Sequence, residues 1–153
     1  MNKKIISTVT LVIIAILVGL FGTDSLDSDG YNINASLNNT TVDVIETGEY
    51  CSVDEVAAYI KTYHKLPSNY ITKKEAQRLG WTGGSLASYA PGKSIGGDVF
   101  TNRQGVLPHS DKKYIECDID ANGTNRGAKR IVYSTENYKV YYTSNHYETF
   151  TEI

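Results

Sequence analysis

The stretch Lys113–Asp120, KYIECDID, decides the fold, because apolar and polar residues alternate along its whole length. Successive side chains of a β-strand point to opposite faces of the sheet. One face therefore carries Ile115, Cys117 and Ile119, and the other carries Tyr114, Glu116, Asp118 and Asp120. This pattern predicts a half-buried strand with a carboxylate, Glu116, on its polar face.

Similar alternation recurs on both sides of this stretch, and turn residues separate the segments. We predict strands near 98–102, 113–119, 130–135, 139–144 and 147–152. In KRIVYST, Ile131 and Tyr133 belong to the apolar face, whereas Arg130 and Val132 belong to the polar face. We therefore expect Arg130 to point from the same open face as Glu116, and His146, on the lip of the last strand, to join them.

Helical periodicity precedes the strands. It predicts one helix from Val53 to His64 and a second that ends at Gly80, each opened by a capping box, at 52–55 and 72–75. A third, shorter helix is predicted at 85–90. Helices followed by strands indicate an α+β fold, in which N-terminal helices pack on one face of a five-stranded antiparallel sheet.

The first 22 residues have the composition of a targeting segment. Lys3 and Lys4 precede an almost uninterrupted apolar run, which is typical of a secretory signal peptide. The alternative is an uncleaved signal anchor, since the run approaches the length that spans a bilayer. We therefore expect a secreted, extracellular protein, with membrane contact only through this segment if it stays attached.

Residues 23–48 are rich in Asn, Asp, Ser and Thr, with five carboxylates and no Lys or Arg. Such a composition favours a polar pro-segment or linker, although extra strands are the alternative for NTTVDVIE. The domain is then predicted to span 49–153. The whole chain has a formal charge of −2, but from Glu49 onward 13 basic residues face 12 acidic ones, which gives +1. A balance this small does not by itself indicate a nucleic-acid partner.

The polar face suggests phosphodiester chemistry. A carboxylate such as Glu116 can remove a proton, an imidazolium such as that of His146 can donate one, and arginines can hold a phosphate. Each residue alone is more often an ordinary surface residue, so this hypothesis depends on their lying together. A metal site is disfavoured, because the two cysteines lie 66 positions apart and neither C-x-x-C nor H-E-x-x-H occurs. Spacing leaves a Ser–His–Asp triad open, but the chain lacks a G-x-S-x-G elbow.

Five strings between Cys51 and Ile153 carry a family resemblance: YIKTYHKLPSNYITKKEAQRLGW, APGKSIGGDVFTNR, GVLP, RIVYS and HYETFT. In these strings, and in their order, the chain resembles the barnase-like, secreted guanyl-preferring ribonucleases of bacteria. The resemblance implies a metal-free endoribonuclease without cofactors that cuts single-stranded RNA by transphosphorylation to a 2′,3′-cyclic phosphate, which it then hydrolyses. It also implies a monomer and an acidic protein inhibitor inside the producing cell. A membrane-held or toxin-type ribonuclease and a non-catalytic RNA-binding module are the alternatives.

The resemblance also assigns roles to residues. Glu116 matches the family's general base and His146 its general acid. The phosphate-binding cations match Lys73, Arg126 and Arg130, and Tyr147 matches an aromatic residue beside the acid. The guanine-reading loop matches Thr101, Asn102, Arg103 and Gln104. The family has Glu where this chain has Gln104, and an amide offers guanine one acceptor where a carboxylate offers two, which weakens the expected preference.

The two cysteines are not part of the family pattern. Cys117 falls on the apolar face of its strand, and Cys51 immediately precedes the first helix, which should pack on that face. Because an exported chain meets an oxidising environment, we predict a disulfide between them. The alternative is a small buried Cys117 and an unrelated exposed thiol at Cys51.

Overall fold

The structure, a computed structural model, describes residues 42–153, which contain two α-helices and one six-stranded sheet. The elements in chain order are α1 (Val53–Tyr63), β1 (Tyr70–Ile71), α2 (Lys73–Arg78), β2 (Ser94–Phe100), β3 (Tyr114–Asp118), β4 (Arg130–Ser134), β5 (Val140–Thr143) and β6 (Thr151–Glu152). The strands lie in sequence order across the sheet, β1 parallel to β2 and all other neighbours antiparallel. The predicted α+β fold is therefore confirmed, with one strand more than expected.

The additional strand is β1, whose two residues pair with Ser94 and Ile95 of β2. A strand this short shows no alternation, so its pairing is set by tertiary contacts. The helix predicted at 85–90 is wrong, because these residues form a turn in which the Leu86 carbonyl accepts from the amides of Tyr89 and Ala90. Pro91 follows directly, and the residue before a proline disfavours helical backbone.

The ends of α2 follow the predicted chemistry. Thr72 and Glu75 form a reciprocal capping box at its start. At its end Gly80, at φ 94°, donates to the Gln77 carbonyl while Trp81 donates to that of Ala76, which is the Schellman arrangement.

The capping box predicted for α1 is wrong. The Ser52 hydroxyl donates to the Glu55 carboxylate at 2.5 Å and accepts nothing from the helix backbone.

The main core lies between α1 and the apolar face of the central strands. Val56, Ala57 and Ile60 of the helix pack against a buried set on the sheet, which comprises Cys117, Ile119, Ile131, Tyr133 and Val140. The division of β3 and β4 into an apolar and a polar face is therefore as the alternation predicted.

The sequence predicted an open polar face, but in the structure this face is covered. Leu107, Tyr114, Val132 and Tyr141 form a second buried cluster there, against which Phe100, Tyr147 and Phe150 pack. Glu116 is only 9% exposed and Arg130 only 3%. The prediction failed because Phe100 at the end of β2, together with Tyr147 and Phe150 from the segment before β6, covers this face, and strand alternation does not predict such a cover.

The predicted disulfide is absent, since Cys51 and Cys117 are both free thiols. Cys117 is 1% exposed, and burial raises the pKa of its thiol well above the ordinary value. The thiolate is the reactive form, so this environment keeps Cys117 inert. The core around Cys117 is tightly packed. A Cβ at Gly96 would collide with Cys117 and Tyr70, and the Tyr70 hydroxyl donates a hydrogen bond to the Asp118 carbonyl.

The segment before the predicted domain boundary contacts α1. The hydroxyls of Tyr63 and Tyr59 donate to the carbonyls of Val44 and Glu46 at 3.1 and 2.7 Å. The predicted signal segment at 1–22 and most of the 23–48 linker lie outside the described residues. Neither helix within 42–153 has the length and apolar character required to cross a bilayer.

Candidate active site

Glu116 lies in the middle of β3, where strand alternation turns it to the polar face. One carboxylate oxygen, Oε1, is 2.6 Å from Nζ of Lys73. The other, Oε2, accepts a hydrogen bond from the Tyr147 hydroxyl at 2.9 Å. Both oxygens are thus held, and the carboxylate has one defined orientation.

Lys73 owes its position to the start of α2, where it is the first helical residue after the Thr72 cap. Its backbone amide donates to Oδ2 of Asp98 on β2 at 2.9 Å, and Asp98 faces Glu116 in the strand register. A helix N-terminus leaves amides without intrahelical partners, and Asp98 satisfies one of them. The side chain of Lys73 is 40% exposed, so its ammonium group reaches both Glu116 and solvent.

Asp118, two residues after Glu116 on the same face of β3, holds both predicted arginines. Its carboxylate is 2% exposed and forms a two-point contact with Arg126, Nε to Oδ2 at 2.5 Å and Nη2 to Oδ1 at 3.0 Å. Nε of Arg130 lies 2.9 Å from Oδ1. Hydrogen bonding to Asp118 raises the pKa of Arg126 further. Two permanent cations therefore sit beside Glu116 with one carboxylate between them.

Sequence reasoning missed the role of Asp118. The sequence did contain a signal for this role: Asp118 is two residues after Glu116, so strand alternation places both carboxylates on the same face. The arginines are further fixed by their surroundings. Arg126 lies over the Trp81 ring at 5.7 Å, and Nη1 of Arg130 donates to the carbonyls of Gly127 and Lys129, each at 2.7 Å.

His146 does not lie on the lip of a strand, because the strand predicted at 147–152 is reduced to Thr151–Glu152. It lies in the turn between β5 and β6, where His146 and Tyr147 have φ of 57° and 74°. Two consecutive non-glycine residues in this region are strained, and such strain persists only where the surroundings impose it. The amide of His146 donates to the Ala128 carbonyl at 3.2 Å.

The buried Thr143 hydroxyl fixes the same turn. Its Oγ1 accepts from the amide of Tyr147 at 3.2 Å and donates to Oδ1 of Asn145 at 2.9 Å. The rings of His146 and Tyr147 are 4.8 Å apart, so Tyr147 links the histidine to Glu116. Burial, followed by the charge of Glu116, raises the pKa of Tyr147 and keeps its hydroxyl protonated as a donor.

A pocket of about 400 Å³ lies beside His146 and Tyr147; we call it the base pocket. Its walls include Phe100, the whole loop 101–104, His146 and Tyr147. The loop is closed by Asn102, whose side-chain amide exchanges two hydrogen bonds with the backbone of Leu107, at 2.9 and 3.1 Å. The four residues predicted to read a base thus face one pocket together with the predicted acid.

The sequence-predicted residues therefore fall into two connected groups. The base pocket contains the loop 101–104, His146 and Tyr147, and below it Glu116, Lys73 and the two arginines form a charged cluster. Cys117 lies on the opposite face of the sheet. Within 42–153, no group of three or more His, Cys, Asp or Glu is placed to hold a metal ion.

Comparison with known proteins identifies the family. A family model described as ribonuclease matches residues 53–153. The chain belongs to the ribonuclease family. A ribonuclease of Bacillus pumilus is 43% identical over 162 residues, covering 99% of each chain, and one of Heyndrickxia coagulans is 50% identical over 103 residues, covering 65% of this chain and 94% of the relative. A guanyl-specific ribonuclease Sa3 of Kitasatospora aureofaciens is 41% identical over 59 residues, or 37% of this chain and 42% of the relative. The predicted resemblance to barnase-like bacterial ribonucleases is thus confirmed.

Proposed function

We propose that this protein is a secreted endoribonuclease that cuts single-stranded RNA on the 3′ side of guanosine without a metal ion. The observation that carries the proposal is the position of Glu116, held between Lys73 and Tyr147 beside two arginines and below a pocket that contains His146. Family membership supports RNA as the substrate. Binding alone would not need a carboxylate and an imidazole side by side, which argues against a silent RNA-binding module.

The proposed first step is an internal transfer at phosphorus. Glu116 takes the proton of the ribose 2′-hydroxyl, and the 2′-oxygen forms a bond to the adjacent phosphorus. The bond from phosphorus to the 5′-oxygen of the next nucleotide breaks, and His146 gives that oxygen a proton. The products are a 2′,3′-cyclic phosphate and a free 5′-hydroxyl. DNA lacks the 2′-hydroxyl and is therefore not a substrate.

The cations have a defined task in this step. Negative charge grows on the phosphate oxygens as the new bond forms, and groups that are already oriented stabilise it without reorganising. Arg126 and Arg130 are oriented by Asp118, and Lys73 by the start of α2. In the second step water attacks the cyclic phosphate while His146 acts as the base and Glu116 as the acid, which restores both groups.

Guanine preference is proposed for the base pocket. The name of the Kitasatospora relative, a guanyl-specific ribonuclease, supports it. The backbone amides of the loop 101–104 can donate to the base, and Gln104 supplies one side-chain acceptor.

Secretion is proposed from the N-terminal sequence, with retention at the membrane as the alternative. The Bacillus pumilus relative aligns over 99% of both chains, so it matches the N-terminal segment as well as the domain. Mass spectrometry of the protein in culture medium and in the membrane fraction tests this. A mature form in the medium that begins after Gly22 supports secretion, whereas an intact chain found only in membranes contradicts it.

Catalysis is tested with Glu116→Gln and His146→Ala, assayed on the dinucleotide GpU in the presence of a chelator. Each variant should lose a factor of roughly 100 or more in kcat, because general acid–base catalysis is worth about that much. The wild-type rate should follow a bell-shaped pH profile, because the base must be ionised and the acid protonated in the same molecule, and each variant should lose one limb of this profile.

Two matched variants control for folding. Glu136→Gln and His64→Asn change the same residue types away from the site, and Asn tolerates the left-handed backbone of His64. Both should cleave GpU at the wild-type rate. Near-wild-type turnover by a folded Glu116→Gln or His146→Ala would disprove the assignment.

A further inference from the structure

A second pocket of about 350 Å³ adjoins the base pocket. The two share one wall, formed by Phe100, Thr101 and Asn102. The far side of the second pocket carries His109, Lys112 and Lys113, none of which has a role in the cleavage described above. Because they share this wall, the two pockets are neighbours, and one extended ligand can reach both.

The charge of the second pocket favours a phosphate. Lys112 and Lys113 are exposed, and neither has an ion-pair partner among residues 42–153. The neighbouring carboxylates contact other side chains at the pocket edge and neither lysine: Asp111 lies 4.0 Å from Nδ1 of His109, and Glu136 accepts from the Ser110 hydroxyl at 2.9 Å. Two ammonium groups are therefore available to an anion from solvent.

The pocket also offers apolar surface to a base. Phe100 stands in the wall between the pockets, and its ring stacks on Tyr147 at 5.3 Å on the base-pocket side. Val99 also lines the second pocket and is 50% exposed, although it belongs to a strand. Aromatic and apolar walls combined with lysines are how single-stranded nucleic acid is held without sequence preference.

The order of groups along β3 gives the bound strand its direction. Asp118, which holds the arginines for the scissile phosphate, lies toward one end of the strand, and Lys112 and Lys113 lie at the other, with Glu116 between. The scissile phosphate is on the 3′ side of the nucleotide in the base pocket. The RNA on its 5′ side therefore runs toward the lysines.

We propose that the second pocket binds the nucleotide on the 5′ side of the recognised one, with the phosphate that joins the two nucleotides on Lys112 and Lys113 and the upstream base against Phe100 and Val99. This inference rests on the proposed function, because it takes the cleaved strand as its reference. It makes the protein an enzyme for chains that continue upstream of the cut, so that dinucleotides are incomplete substrates.

The kinetic test compares substrates of different length. We expect the wild type to have a higher kcat/KM on UpGpU than on GpU, and the Lys112→Ala/Lys113→Ala variant to lower this ratio by about fivefold, since phosphate contacts supply much of the affinity for nucleic acid. The Lys61→Ala/Lys65→Ala variant removes the same charge from the α1 side of the sheet and should keep the wild-type ratio. An unchanged ratio in the first variant, or a fall confined to the 3′-extended substrate GpUpU, would overturn the proposal.

A binding test separates the second pocket from catalysis. A fluorescently labelled deoxyribonucleotide trimer with guanine in the middle lacks the 2′-hydroxyl, so it binds without being cut. Its affinity should fall less steeply with salt for Lys112→Ala/Lys113→Ala than for the wild type, by roughly 0.7 in the slope of log K against log salt for one lost phosphate contact. Equal slopes for the wild type and the variant would overturn the proposal that the second pocket binds a phosphate. If the wild type does not cleave RNA at all, the proposed function is overturned, but the binding measurement on the deoxyribonucleotide trimer still tests the second pocket.

Discussion

Gln104 stands in the base pocket where the barnase-like ribonucleases have a carboxylate. A carboxylate accepts from both the N1–H and N2–H groups of guanine, whereas an amide offers one acceptor and adds a donor. We therefore predict that Gln104→Glu sharpens the preference for guanine. A buried donor left without its partner costs about 1–3 kcal/mol, so the ratio of GpU to ApU cleavage should rise by about 5- to 150-fold.

The control for this prediction is Val106→Glu. Val106 lines the same pocket and is 42% exposed, so this variant adds an equal charge at a different place. It should leave the ratio of GpU to ApU cleavage near the wild-type value. If Gln104→Glu also leaves that ratio unchanged, the loop backbone alone reads the base.

For individual residues, the sequence predicted the sheet face of a side chain better than its ion-pair partners. Alternation in KYIECDID correctly grouped Glu116 with Asp118 and opposed both to Cys117. It did not show that Asp118 binds Arg126 and Arg130, because those contacts form only when residues 119–129 bring β4 back beside β3. The roles of Glu116 and His146 came from family resemblance, since spacing alone left each of them an ordinary polar residue.

The turn between β5 and β6 is the element on which the proposed acid depends. Its backbone is strained at His146 and Tyr147, and the Thr143 hydroxyl makes hydrogen bonds to both Asn145 and Tyr147. We predict that Thr143→Val, which keeps the shape and removes the hydroxyl, lowers kcat by about 10- to 100-fold, since small displacements of catalytic groups are that costly. KM should change less, because the loop 101–104 is untouched.

Thr143→Ser retains the hydroxyl and should restore most of kcat. A purely structural role for Thr143 would lower the midpoint of thermal unfolding in the Val variant but leave kcat of the folded enzyme, and its pH profile, as in the wild type. That result would contradict a positioning role.

Among the elements, the long periodic segments were predictable and the short ones were not. The helix from Val53 and the strands at 114–118 and 130–134 follow from periodicity, because each buries one face against the core. β1 and β6 have two residues each, and their pairing is decided by neighbouring strands. A turn that needs positive φ at a histidine and a tyrosine has no local sequence signal, which is why the last strand was predicted too long.

Two of the domain's three buried clusters lie on opposite faces of the central strands, and tyrosines are buried in both. Tyr133 lies in the core under α1, and Tyr147 covers the candidate site. Because β3, β4 and β5 each contribute residues to both clusters, unfolding of the sheet exposes the two clusters together. The stability of the candidate site and that of the fold are therefore coupled, and a buried phenol on either side of the sheet affects both.

Alkaline pH should consequently unfold this protein. Burial raises the pKa of Tyr133 from the ordinary value of 10.0 to about 12, and it also raises the pKa values of Tyr70 and Tyr147. The unfolded chain loses these protons near pH 10 while the fold retains them, so their contribution to stability is complete below pH 10 and is lost as the pH rises toward 12. For Tyr133 this amounts to about 1.4 kcal/mol per pH unit within that window.

We predict that Tyr133→Phe loses about 1.4 kcal/mol less unfolding free energy than the wild type between pH 9 and pH 11, because Phe has no proton to release. Urea unfolding at the two pH values measures this, and the difference between the two losses cancels any change in packing caused by the substitution. Tyr89→Phe, at a 41% exposed loop position, should lose as much as the wild type. If Tyr133→Phe also does so, Tyr133 stays protonated or ionises equally in both states, and alkaline unfolding must begin at another tyrosine whose pKa is raised, namely Tyr70, Tyr114 or Tyr147.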